Sequence, residues 1–91
     1  MSMPTGRQSE AGPLARAVAA EIRAAMGRHR VSGNQLATMT GISQNYIAKR
    51  LRDEASFTVN DIERICNALD ESSADLWTHA QTHVQREKGN S

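Results

Sequence analysis

The chain has 91 residues, 38% of them hydrophobic, a formal net charge of +1 and a single cysteine, Cys66. That length fits one small domain, in which every element must contribute to a modest core. One cysteine excludes an internal disulfide and a zinc site built on cysteine pairs. No apolar run approaches the ~18 residues of a membrane span, and the leading MSMPTGRQSE lacks a signal-peptide core. A soluble, cytoplasmic protein is therefore expected.

Residues 1–12 are polar and carry Pro4, Gly6 and Gly12, the composition of a flexible arm. Pro13 suits the first position of a helix. From there Leu14, Val18, Ile22, Ala25 and Met26 recur at helical spacing through about His29. Ser32-Gly-Asn-Gln35 reads as a capping box, flanked by Val31 and Leu36 as a hydrophobic staple. It opens a short helix over 33–39, which Gly41 stops by adopting a positive φ cheaply. Ser43 caps the next helix, 44–52, with Ile42 before it and Ile47 after. Thr58-Val-Asn-Asp61 is a second box, with Asp in place of Glu, and opens a helix over 59–69 with Ile62, Ile65, Cys66 and Leu69 inward. Ser72 or Ser73 caps a last helix carrying Leu76, Trp77, Ala80 and Val84. No period-2 alternation suggests a strand. The chain thus divides into an arm (1–12), an all-α domain of five helices (13–86) and a disordered tail (87–91).

Charge is unevenly placed along this frame. Between Ile22 and Arg52 lie Arg23, Arg28, Arg30, Lys49, Arg50 and Arg52 without one acid, a local +6. Between Asp53 and Asp75 lie seven acids against Arg64 alone, a local −6. Such asymmetry builds a basic face on a nearly neutral molecule. Within the basic half, Ser32–Arg52 reads as two short helices joined by a tight glycine turn, the arrangement that offers a helix to the ~12 Å major groove of DNA.

Leu36-Ala37, Gly41-Ile42-Ser43, Tyr46-Ile47 and Ile62-x-x-Ile65-x-x-Ala68-Leu69 resemble the lambda-repressor-like, Cro/Xre-type helix-turn-helix domain over roughly residues 14–77. The resemblance implies a compact five-helix fold in which helices 2 and 3 form the helix-turn-helix and helix 3 reads double-stranded DNA. One departure concerns a Glu that many relatives carry on helix 3, paired with an Arg on helix 1. Leu51 and Met26 hold those positions here. An apolar contact between them would replace the ion pair without loss, since buried ion pairs carry a desolvation cost. Arg50 would then point outward.

On this reading helix 3 presents Gln44, Asn45, Ala48, Lys49 and Arg52 away from Ile47 and Leu51. Gln and Asn pair bidentately with adenine, and Lys or Arg with guanine, so Gln44, Asn45 and Lys49 are the candidate base contacts. Ser43, Tyr46, Arg50 and Arg52 are the candidate phosphate contacts, with Asn34 at the start of helix 2. The rival view makes Gln44, Asn45 and Lys49 a plain solvated face and Tyr46 a packing residue. Arg7 of the arm either reaches a minor groove or is solvated. His79 and His83 stand four apart with Asp75 a turn earlier, but lack a fourth ligand or a glutamate base, so no metal is expected. Cys66 is expected to be a small buried hydrophobe. Trp77, Ala80 and Val84 mark a candidate surface for a homodimer.

These features favour a sequence-specific transcription regulator, a small phage or bacterial repressor of Cro or immunity type that acts by operator occupancy. Alternatives are the antitoxin of a toxin–antitoxin pair, bound to its toxin and its own promoter, or a protein–protein adaptor that has lost DNA binding. No nucleophile–base pair, phosphate loop or metal cluster suggests an enzyme, and no cofactor is implied.

Overall fold

The computed structural model describes residues 10–89. Five helices follow one another, and no strand occurs among the described residues: α1 Pro13–His29, α2 Gly33–Thr40, α3 Gln44–Leu51, α4 Val59–Leu69 and α5 Ser73–Gly89. The capping grammar of the sequence accounts for four of the five starts. Ser32 Oγ accepts from the Gln35 amide at 3.1 Å while Gln35 accepts from the Ser32 amide at 2.8 Å. Thr58 and Asp61 exchange the same pair of bonds at 3.0 and 2.9 Å. Ser43 accepts from the Tyr46 amide, and Ser72, rather than Ser73, accepts from that of Asp75. Each bond satisfies an amide that the helix itself leaves orphaned. Helix α1 has no side-chain cap and relies on Pro13, whose missing N–H needs no partner.

The helix ends are less uniform. Gly41 closes α2 with φ +74°, as its composition predicts. Helices α1 and α4 end instead on Arg30 and Asp70, both at φ 55°. In each, the following amide reaches back to close the last turn: Val31 N–H to Met26 O at 2.9 Å and Glu71 N–H to Cys66 O at 2.8 Å. Helix α5 runs to Gly89, three residues past the boundary the sequence suggests.

The core is one cluster drawn from all five helices, with Ile22, Leu36, Ile47, Ile62, Ile65 and Cys66 almost wholly buried. Met26 is buried in it and Leu51 packs against it, so the two residues that replace the expected ion pair are both in apolar surroundings. The most extensive packing is between α1 and α5. Ala80 is fully buried there, and Trp77 and Val84 are half-buried against the same cluster. This removes Ala80 from the candidate dimer surface: it cannot face a partner, because its small side chain lets α5 lie close on its own core.

Two further differences concern the ends of the domain. Ala11 is buried, its N–H donates to Asp53 O at 3.2 Å, and its carbonyl accepts from Arg16 at 2.9 Å. The expected arm therefore ends before Ala11, and its earlier part, with Arg7, lies outside the described residues. Of the expected 87–91 tail, residues 87–89 form the end of α5 and 90–91 lie outside the described residues. At the opposite side, Arg28 and His29 both meet Glu71, at 3.0 and 2.6 Å, fastening the end of α1 to the α4–α5 turn.

Candidate nucleic-acid interface

Helix α3 is fixed by what it buries. Ile47 is completely enclosed and Leu51 half so. At about 100° per residue this turns Asn45, Lys49 and Arg52 to the opposite side, with Gln44 at the exposed first turn. Gln44, Asn45, Lys49 and Arg52 are all exposed. The side chains of Gln44 and Asn45 have no hydrogen-bond partner among the described residues, which leaves their amides unspent.

The other candidates divide. Asn34 and Ser43 are exposed at the starts of α2 and α3. The capping box of α2 uses the amides of Ser32 and Gln35, leaving those of Gly33 and Asn34 without an acceptor inside the helix. Ser43 spends its oxygen on the Tyr46 amide, and its own O–H remains a donor. Arg52 is exposed but engaged, its Nε donating to Glu54 Oε2 at 2.6 Å. That bond holds the Glu54 carboxyl below the usual carboxylate range and raises the Arg52 guanidinium.

Arg50 and Tyr46 differ from expectation. Arg50 does not point outward: it is only 7% exposed. Its Nε donates to Ser56 O at 3.1 Å, another nitrogen donates to Tyr46 O at 3.2 Å, and the guanidinium lies over the Tyr46 ring, 3.3 Å from its centre. A buried cation needs such partners. The hydroxyl of Tyr46 donates to Asp61 Oδ2 at 2.6 Å, and this bond, ahead of burial and the Asp61 charge, raises its pKa above the usual tyrosine value. A phosphate offers only acceptors, and Tyr46 has one proton, already committed. Neither residue is therefore poised as a phosphate donor in this arrangement.

Spacing held a clue to Arg50. It stands three after Ile47, as close to the buried face as Leu51 four after, and four after Tyr46, the distance of a stacked pair. Two residues the sequence reading missed also shape the site. Arg23 of α1 donates to the carbonyl of Leu51, steadying the C-terminal end of α3 with a cation. Asp61, seen in sequence only as a cap, is the acceptor for Tyr46.

Elsewhere, His79 and His83 face different acids, Glu21 at 3.7 Å and Glu87 at 3.0 Å. No group of three metal-ligating side chains gathers among the described residues. Cys66 is buried, and burial holds its thiol above the ordinary range. No described helix is long and apolar enough to cross a membrane.

The arrangement is a short exposed helix with unspent amides and a lysine, a helix start with open amides beside it, and a rigid apolar seat beneath. Solved structures share this fold. The clp gene regulator ClgR from Corynebacterium glutamicum superposes with a TM-score of 0.76 at 22% identity, covering 85% of this chain and 82% of that one. A mutant of the restriction-modification controller protein C.Esp1396I gives 0.72 at 19% identity, over 81% and 99%. The hypothetical transcription factor NHTF from Neisseria gives 0.67 at 20%, over 92% and 95%. No curated protein sequence matches the chain. A family model does, over residues 21–81, two thirds of the chain and all of α2, α3 and α4: the protein belongs to the Cro/C1-type HTH DNA-binding domain family.

Proposed function

We propose that this chain is a sequence-specific transcription regulator, a small repressor of phage or bacterial type that blocks polymerase by covering an operator. The observation that carries this reading is the exposed face of α3, where Gln44 and Asn45 keep both halves of their amides unpaired beside Lys49. Those groups match adenine and guanine edges in the major groove. Asn34, Ser43 and Arg52 flank them as phosphate contacts, and the open amides at the start of α2 support the first of these. The names of the solved neighbours, a gene regulator, a controller protein and a hypothetical transcription factor, agree with such a role. Helix α3 has eight residues and is about 12 Å long, so it spans few base pairs. Two copies on half-sites about 34 Å apart would supply the missing selectivity.

Fluorescence anisotropy tests the reading on two duplexes of equal composition: one enriched by the chain from a random library, and its scrambled form. The parent should prefer the first, with an affinity that falls steeply as salt rises. Gln44→Ala and Lys49→Ala should each cut the preference about tenfold. Variants that bind like the parent would refute the site assignment, and an absence of salt-dependent affinity would favour the adaptor alternative.

A further inference from the structure

No Cα atom of α3 lies within 8 Å of a Cα atom of α4. Beyond the apolar core that both helices share through Ile47, Ile62 and Ile65, a chain of polar side chains ties the reading helix to α4. Arg50 holds Ser56 O, in the loop leading to α4, and lies on the Tyr46 ring. The Tyr46 hydroxyl donates a hydrogen bond to Asp61 Oδ2. The same oxygen accepts the Thr58 amide at 2.9 Å, and the Asp61 amide donates to Thr58 Oγ1 at 3.0 Å. One carboxylate oxygen thus serves both the cap of α4 and the attitude of α3.

We propose that Asp61 and Tyr46 are positioning residues for base recognition, setting the angle at which α3 meets the groove without touching DNA. The inference rests on the DNA-reading function proposed above. A helix of eight residues is about 12 Å long, so a tilt of roughly 10° moves its end about 2 Å. Hydrogen bonds to bases tolerate only a few tenths of an ångström, whereas phosphate attraction acts at longer range and survives such a tilt. A loosened α3 therefore loses selectivity before it loses affinity for DNA in general. Because the Tyr46 ring is braced by Arg50 on one face and held at its hydroxyl, removing the hydroxyl alone frees the link while leaving the core packed.

The test uses the whole chain, with the enriched and scrambled duplexes described above. Tyr46→Phe should lower the ratio of enriched to scrambled affinity about five- to tenfold, with affinity for the scrambled duplex unchanged. Asp61→Ala should do the same, and the double variant should lose no more than either alone. Asp61→Asn keeps an oxygen for the Tyr46 hydroxyl and should restore most of the ratio. Thr58→Ala, which weakens the α4 cap but leaves the Tyr46 bond, should lower thermal stability and leave the ratio at the parental value. The chain has one tyrosine, so its ultraviolet titration reports the bond directly: Asp61→Ala should move it down toward the ordinary tyrosine range. Equal weakening of both duplexes by Tyr46→Phe would overturn the proposal in favour of a direct phosphate contact. A preserved ratio in a parent that does discriminate would overturn it outright. Should the parent enrich no duplex, the DNA-reading function fails and the positioning role fails with it.

Discussion

Single residues in this protein carry strain and charge that their neighbours only partly relieve. Asp53 stands at φ 66° just after α3, and its Oδ1 is buried with no hydrogen-bond partner. A side chain in the left-handed region costs about 1 kcal/mol, and an unpaired buried acceptor adds to that. The contact it makes to Ala11 uses its backbone carbonyl and survives any substitution. Asp53→Gly should therefore stabilise the fold by about 0.5–1 kcal/mol, net of the entropy glycine loses, measured as a shift in urea midpoint at unchanged slope. Glu71 illustrates the opposite case. Its carboxyl is held below the usual range, first by the hydrogen bond with His29 and then by Arg28. A depressed folded value means that the contribution is full above the unfolded pKa, near 4.3, and disappears as pH falls through the folded value. The pair is partly exposed and worth at most about 1 kcal/mol. The melting temperature of Glu71→Gln should thus lie below the parent's at pH 6 and converge with it toward pH 3.

At the scale of elements, the starts of the helices were legible in the sequence, and so was where α1 and α4 stop, but not the conformation that closes them. A cap is a local chemical device: a hydroxyl or carboxylate three residues before the amide it serves, as at Ser32, Ser43 and Thr58. An end in the left-handed region announces itself only when glycine supplies it, as at Gly41. Arg30 and Asp70 take the same conformation without glycine, each turn being closed by the following amide, a feature that no residue type at those positions announces. The candidate interface divides in the same way. Exposure of Gln44, Asn45 and Lys49 followed from the spacing around Ile47 and Leu51, whereas the inward turn of Arg50 depends on Ser56 and the Tyr46 ring arriving beside it. Gly41 offers an element-scale measurement. A Cβ there would meet nothing within 4 Å, so the objection to a side chain is its φ of +74° alone. Gly41→Ala should cost about 1 kcal/mol while leaving helix content unchanged, and Gly41→Asn, which tolerates that region, should cost less. Chemical denaturation followed by circular dichroism separates the two.

The whole molecule is built on α1 laid against α5, with the reading pair α2 and α3 seated on one side. The sequence showed α5 to be amphipathic but not which surface its stripe would meet, since a folded-back helix and a pairing helix have the same pattern. Ala80, fully buried, turns to its own core, while Trp77 and Val84 are half-exposed at its edge. Ala80→Asp should therefore destabilise the single chain by about 3 kcal/mol or more. The loss in urea midpoint should be the same at low and high protein concentration; a loss that grows on dilution would place Ala80 between two copies. Charge is arranged at this scale too, with the helix-turn-helix half of the chain basic and the following half acidic. The pairing of Arg52 with Glu54 lies at the seam between them. Seen from the guanidinium, a carboxylate already holds one of the donors that the proposed phosphate contact would use. On the proposed function, docking there would exchange one anion for another, and Arg52 would liberate less salt than an unpaired cation. Glu54 would then be a tethered competitor with the nucleic acid, weakening attachment to any duplex while leaving the proposed base contacts Gln44, Asn45 and Lys49 untouched.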